Sequence, residues 1–179
     1  MLERQLIQNG TSRIDDTRLP HADDTALPAD DGHAVVNLAT WLEHRASLRA
    51  RQHPVGILLA PDDEALDLAD TEGGTIDPTG IAFIAVEFPN MTDGRGFSQG
   101  QLLRTRLGWE GEMRAVGDVL ADTMFYLSRC GFDSYSLKPG QDAELALRAL
   151  STFSTGYQRG YRLGSARLGA KRALETPAP

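Results

Sequence analysis

The sequence predicts an α/β protein: a parallel sheet of consecutive βα units, doubly wound or partial-barrel-like, with a short N-terminal β-hairpin. Three observations carry this. Segments such as "VGILLA" and "IAFIAVEF" are unbroken apolar rows, as strands buried on both faces require. Each apolar row is followed by a helix-like stretch, and alternation of this kind implies parallel order and right-handed crossovers. Near the start, "QLIQNGTSRID" reads as two short strands around Asn9-Gly10, a type I′ hairpin signal.

Taken in order, the hairpin is followed by "DDTRLPHADDTALPADDG", rich in Asp and Pro and poor in large apolar residues, which predicts a mobile or loosely packed connection. "HAVVNLATWLEHRASLRA" predicts a strand at Ala34–Leu38 and then a helix capped by Thr40, with Glu43 completing a capping box. Four βα units follow. "VGILLA" precedes the helical "PDDEALDLAD", and "IAFIAVEF" precedes "DGRGFSQGQLLRTRLG". "GEMRAVGD" precedes "VLADTMFYLSRCG", and "FDSYSL" precedes "DAELALRALSTFSTGY". The chain thus divides into residues 1–33 (hairpin and flexible acidic connection), 34–156 (α/β domain) and 157–179 (basic tail, extended or partly helical).

With 179 residues, one domain with a real core is expected. The formal charge of −7 argues against a nucleic-acid partner. From Tyr157 onward there are five basic residues and one acidic; the remainder holds 13 basic and 24 acidic, a net of −11. No apolar run is long enough to cross a bilayer and no signal peptide is evident, so a cytoplasmic protein with no membrane partner is expected. The lone Cys130 supplies neither a disulfide nor an iron–sulfur ligand set, and His21, His33, His44 and His53 lack metal-ligand spacing. Neither a metal nor a cofactor is expected, with carboxylate-bound magnesium left open.

In parallel α/β proteins ligands bind at the carboxyl ends of strands. That rule brings Glu87, Asp93, Arg95 and Asp118 toward one edge, with Asp62 and Asp63 on the same face. Gly94 and Gly96 permit positive φ and close approach of a ligand to the main chain. Arg95 between them offers a planar fork for a carboxylate, sulfate, sulfite or phosphate. Ser98 with Gln101 fits a capping box, and the helix start would present free N–H groups to an anion. Asp118, after Gly117, suits an N-cap, a ligand or a base. The competing reading is that Asp93 and Arg95 pair with each other while the glycines only make the turn. Arg104 and Arg106 read as a solvated face or a docking patch. Cys130, at a helix C-terminus, reads as a semi-buried residue with a raised pKa and not as a catalytic thiolate. The spacing matches neither a P-loop nor a dinucleotide fingerprint.

The stretch from Phe88 to Leu137, "FPNMTDGRGFSQGQLLRTRLGWEGEMRAVGDVLADTMFYLSRCGFDSYSL", resembles the bacterial domain-of-unknown-function family 934. The resemblance rests on D-G-R-G-F-S, L-L-R-x-R-L-G, E-M-R-A-V-G-D-V and R-C-G-F-D. "GILLAP" and "ATWL" match more loosely, and Gly100 stands where a small or apolar helix residue is usual. Members are described as oxidoreductases involved in sulfite reduction, through their company with the sulfite/nitrite reductase haemoprotein. The resemblance therefore implies a role in sulfur assimilation. With no haem, iron–sulfur, flavin or nicotinamide motif in the residues, an accessory protein docking to that reductase is the expectation. A small-anion-binding enzyme built on Asp93, Arg95, Ser98 and Asp118, with Glu87 or Asp118 as base, is the alternative. A homo-oligomer stays open.

Overall fold

The structure, a computed structural model, describes residues 3–90 and 92–150. Seven strands run in chain order: β1 (Gln5–Gln8), β2 (Thr11–Ile14), β3 (Val35–Asn37), β4 (Val55–Leu59), β5 (Ile81–Phe88), β6 (Glu112–Gly117) and β7 (Ser134–Ser136). Helices α1 (Leu38–Arg49), α2 (Arg95–Thr105), α3 (Met124–Arg129) and α4 (Ala143–Leu150) alternate with them. The basic tail and the rest of the stretch "DAELALRALSTFSTGY" beyond Leu150 lie outside the described residues.

The hairpin forms as expected, with Asn9 at φ 52° and Gly10 at φ 74°, the left-handed angles of a type I′ turn. The strands form one sheet in the order β2-β1-β7-β6-β5-β4-β3. β3 to β7 are mutually parallel, β1 runs antiparallel to β7, and β2 closes the hairpin on the outside. The α/β class holds, and the hairpin is part of the same sheet.

Of the two arrangements the sequence leaves open, the doubly wound one does not occur. The parallel strands succeed one another in chain order without a reversal, so right-handed crossovers all put their helices on one face. The packing agrees. Trp41, Leu48, Leu103, Leu107, Leu127 and Ala146 from the helices and their ends join Ile57, Leu59, Ile84, Val86, Met113 and Ala115 of the strands in one core. The alternate strand residues Leu58, Phe83, Ala85 and Val116 form a second cluster, which no helix residue joins.

Asp15 to Ala34 connects β2 at one edge of the sheet to β3 at the other. It therefore crosses the helix-free face, roughly 29 Å at about 4.8 Å per strand spacing. The loose packing expected of this segment gives way to a strap held at intervals. Asp15 accepts from Ser136 Oγ, and Thr17 Oγ1 accepts from Arg114 Nη1 at 2.8 Å. Leu19 packs on the second cluster. Asn37 Nδ2 donates to the His21 carbonyl at 2.8 Å, and Arg51 Nη1 to the Pro28 carbonyl at 2.5 Å. Asp30 accepts from the Gln52 and His53 backbone N–H groups at 2.9 and 3.1 Å. Low apolar content misleads here because these anchors are polar.

Several local expectations change. α1 begins after Asn37, so Thr40 lies in its first turn and donates to the Asp24 carbonyl instead of capping. "PDDEALDLAD" makes only a 3₁₀ turn at Ala65–Leu68, because just Ala65 and Leu68 are available to bury and Leu66 stays exposed. "VLADTMFYLSRCG" splits into a 3₁₀ turn, Ala121–Thr123, and the short α3. Gly131 (φ 100°) stops α3: its N–H donates to the Ser128 carbonyl and the Phe132 N–H to the Leu127 carbonyl, a Schellman closure. No helix of the described residues is long and apolar enough to cross a membrane.

Candidate functional site

The loops after β4, β5, β6 and β7 gather at the carboxyl edge of the sheet. After β5, Pro89 and Asn90 begin a turn in which the Asp93 N–H donates to the Asn90 carbonyl at 3.1 Å. Asp93 Oδ1 in turn accepts from the Arg95 backbone N–H at 3.1 Å, and α2 starts there. The helix therefore begins four residues earlier than a Ser98 cap requires. Gly94 is the N-cap, and Ser98 is an exposed residue inside the helix. An internal carboxylate, Asp93, already occupies the position where an anion would meet the free N–H groups and the positive end of the helix.

The two glycines of the turn do not adopt positive φ. Gly94 sits at φ −79°, and a Cβ added to it would meet nothing within 4 Å. Gly96 serves packing: a Cβ there would lie 2.6 Å from the Phe88 ring. Phe88 continues the aromatic contact to Phe97 (centroids 5.0 Å apart) and Phe132 (5.7 Å). Gly117 is the glycine with a conformational demand. It has φ 95°, and a Cβ would collide with the Phe88 carbonyl oxygen. The next residue, Asp118, donates its N–H to that same carbonyl at 2.7 Å, so the ends of β5 and β6 are latched together.

Arg95 and Asp93 are paired. Nε donates to Oδ1 at 3.0 Å and Nη2 to Oδ2 at 2.7 Å, and Nη1 engages Asp62 from the β4 loop. The Arg95 hydrogen bonds hold the Asp93 carboxyl below the ordinary carboxylate range, and Asp93 in return raises the Arg95 guanidinium pKa. Asp118 accepts from Lys138 Nζ at 2.6 Å and caps no helix, since the following 3₁₀ turn begins after Leu120. Glu87 is separated from Arg95 by the pleat. Phe88 and Val86 face the helices, so Glu87 emerges half-buried on the strap side, next to Val116 of β6.

Next to Arg95, Asp63 accepts from the Ala60 N–H at 2.7 Å. Burial, with Asp62 and Asp67 nearby, pushes its carboxyl pKa up. Gln99 of α2 donates to the Ala60 and Asp63 carbonyls at 2.9 Å each and so ties the helix to the β4 loop; its Oε1 is buried without a partner. Cys130 is buried, and burial raises its thiol pKa. Among the described residues, no group of three or more His, Cys, Asp or Glu is placed to hold a metal ion.

Two arrangements escaped the sequence reading. Arg104 is not solvated: its side chain is fully buried, with Nε donating to the Gly131 carbonyl at 2.9 Å and Nη1 to the carbonyls of Trp109 (2.6 Å) and Gly111 (2.8 Å). Nη2 reaches Asp133 Oδ2 at 3.1 Å, and Asp133 Oδ1 accepts from the Met113 N–H at 2.8 Å. Arg106 is exposed as expected. The second is on the helix-free face, where Arg114 and Phe83 floor an open cleft beneath the strap. Its sequence signal was the alternation Glu112, Arg114 against Met113, Ala115 in β6, together with Gly56 inside an apolar strand.

Neither the curated proteins nor the solved structures provide a match to this chain. A family model does: residues 56–166 match the family described as bacterial protein of unknown function (DUF934), from β4 through α4 and past the described residues. The expected resemblance is thus met, and the chain belongs to the bacterial family of unknown function DUF934.

Proposed function

We propose that this protein works by docking, as an accessory protein of assimilatory sulfite reduction that supports the sulfite/nitrite reductase haemoprotein. One observation carries the choice of docking over turnover. The fork that would hold a small anion, Arg95, is already filled by two carboxylates of the chain, Asp93 and Asp62. A substrate anion would have to displace both. The second cation of this edge, Lys138, is likewise held by Asp118. What the edge offers a partner is a surface of fixed charge, on which Asp62 is 92% exposed. The pathway and the partner come from the family resemblance, not from the geometry.

Charge-guided docking weakens with salt. Full-length protein and purified sulfite/nitrite reductase haemoprotein are expected to co-sediment at low ionic strength and to separate as salt is added. Absence of association at low salt overturns the docking reading. A deletion strain should need sulfide or cysteine in place of sulfate, and growth on sulfate should return with an Arg95→Ala copy. If Arg95→Ala fails to restore growth while the protein accumulates normally, the small-anion enzyme at Asp93, Arg95 and Asp118 takes its place.

A further inference from the structure

The helix-free face carries an open cleft of about 1140 Å³ between the strap and the sheet. Its floor is a flat stack. The Arg114 guanidinium lies 4.0 Å from the centroid of the Phe83 ring. The ring in turn lies over Gly56, where an added Cβ would come within 2.5 Å of it. A side chain at position 56 would force the ring to shift. Arg114 is almost fully buried and is held in place from two sides: Nε donates to Glu112 Oε1 at 2.8 Å and Nη1 to Thr17 Oγ1 at 2.8 Å. Nη2 completes the pair with Glu112 at 2.7 Å. A guanidinium has five N–H donors. One on each terminal nitrogen is therefore left without an acceptor among the described residues.

Three arginines and three carboxylates line the cleft. Arg13 and Arg18 line it, are exposed and have no acceptor among the described residues. His21 and His33 stand along the same wall. Glu112 pairs with Arg114, which Asp15 also attracts, whereas Asp24, accepting from the His21 backbone N–H at 2.8 Å, and Asp16 keep their charges without an ion pair to Arg13 or Arg18 among the described residues. Between these polar groups the lining is apolar: Pro20 and Pro28, with Leu19, Val35 and Ala82 packed on the cluster that contains Phe83. The volume exceeds the roughly 300–1,000 Å³ of sites for cofactor- or drug-sized molecules, so such a molecule would fill the cleft only in part.

We propose that this cleft is a binding site for an organic anion with a flat apolar body. The body lies along Phe83, Leu19 and Ala82, and the anionic head meets Arg114 from the floor and Arg13 and Arg18 from the rim. The floor belongs to the segment that matches the family, residues 56–166, whereas the strap and its arginines precede it. The site lies on the opposite face of the sheet from α2, so it stands or falls independently of the docking proposal.

The test uses the full chain and a probe of this chemistry, the aromatic sulfonate anilinonaphthalene sulfonate, followed by its fluorescence. Saturable one-to-one binding is expected. Reversing the rim charges with Arg13→Glu and Arg18→Glu together should weaken it about tenfold or more, with circular dichroism and melting temperature unchanged. The neutral analogue phenylnaphthylamine should bind correspondingly more weakly. Ala82→Trp, which fills the cleft from β5, should abolish binding by both probes. Unsaturable binding, or an affinity that ignores the charge reversal and the loss of the sulfonate, overturns the proposal.

Discussion

Arg95 and Arg104 stand nine residues apart on α2, and each holds an aspartate. The helix runs back against the strands, so the two pairs sit at opposite ends of the sheet. Arg95 meets the loops leaving the strands, and Arg104 meets the loops entering β6 and β7. Their surroundings differ as much as their chemistry agrees. The Arg104 and Asp133 side chains are 0% and 7% exposed, those of Arg95 and Asp93 52% and 13%. Arg104 spans carbonyls of the loops entering β6 and β7, so removing it takes donors away from polar groups in the core. Arg95 bridges two carboxylates that water can also solvate. In one helix the same ion pair is thus a structural clamp at the amino edge and an arrangement of surface charge at the carboxyl edge.

The strongest way to break the comparison is to remove the clamp. Arg104→Met takes the paired arginine away from buried Asp133 and removes one donor from each of three loop carbonyls. Breaking one side of a buried pair costs about 3–5 kcal/mol. Denaturant unfolding of Arg104→Met should show a loss of that size, enough to leave a small domain partly unfolded. Adding Asp133→Asn should recover part of it, because the remaining charge is gone. A loss no larger than that of a surface substitution would mean that Arg104 does not clamp these loops.

Why the sequence hides this difference is physical. The α/β class, the hairpin and the order of the elements are legible because they rest on periodicity and on Asn9-Gly10, both local signals. The Asp93–Arg95 pair was also within reach, being two residues apart. Arg104 was not: its partners are the Gly131 and Asp133 of a different βα unit, and helix spacing alone puts it off the apolar stripe, where a solvated residue is the ordinary outcome. The cleft was illegible for the same reason. It arises because β2 and β3 fall at opposite edges of one sheet, which makes the acidic connection cross the face. Strand order of that kind follows from tertiary packing and has no signature in the connection itself.

A second substitution separates backbone from charge at the carboxyl edge. Gly117→Ala places a Cβ at φ 95° against the Phe88 carbonyl and so strains the latch between β5 and β6. Strain in such a conformation costs about 1–3 kcal/mol. The melting temperature should fall accordingly, by less than for Arg104→Met. If Gly117→Ala is neutral, the edge is held by its ion pairs after all, and Arg95 gains the structural role that its exposure argues against.

The smallest effect is expected at Arg95 itself, where stability above pH 5 should not change measurably in Arg95→Ala, because exposed pairs contribute little. The pair shows instead in titration. Arg95 holds the folded-state pKa of Asp93 below its ordinary value of 3.8. A depressed carboxyl pKa contributes stability that is complete above the unfolded-state value and fades as pH falls through the folded one. Wild type and Arg95→Ala should therefore differ only slightly near neutrality, and that difference should vanish in acid. In a carboxyl-carbon NMR titration, Asp93 should titrate at higher pH in the variant, while Asp15, held low by Ser136 and Thr17 against the upward push of burial, should not move. An unmoved Asp93 would show that its carboxylate takes its low pKa from the turn's backbone N–H and not from the arginine, leaving the Arg95 fork available to another anion.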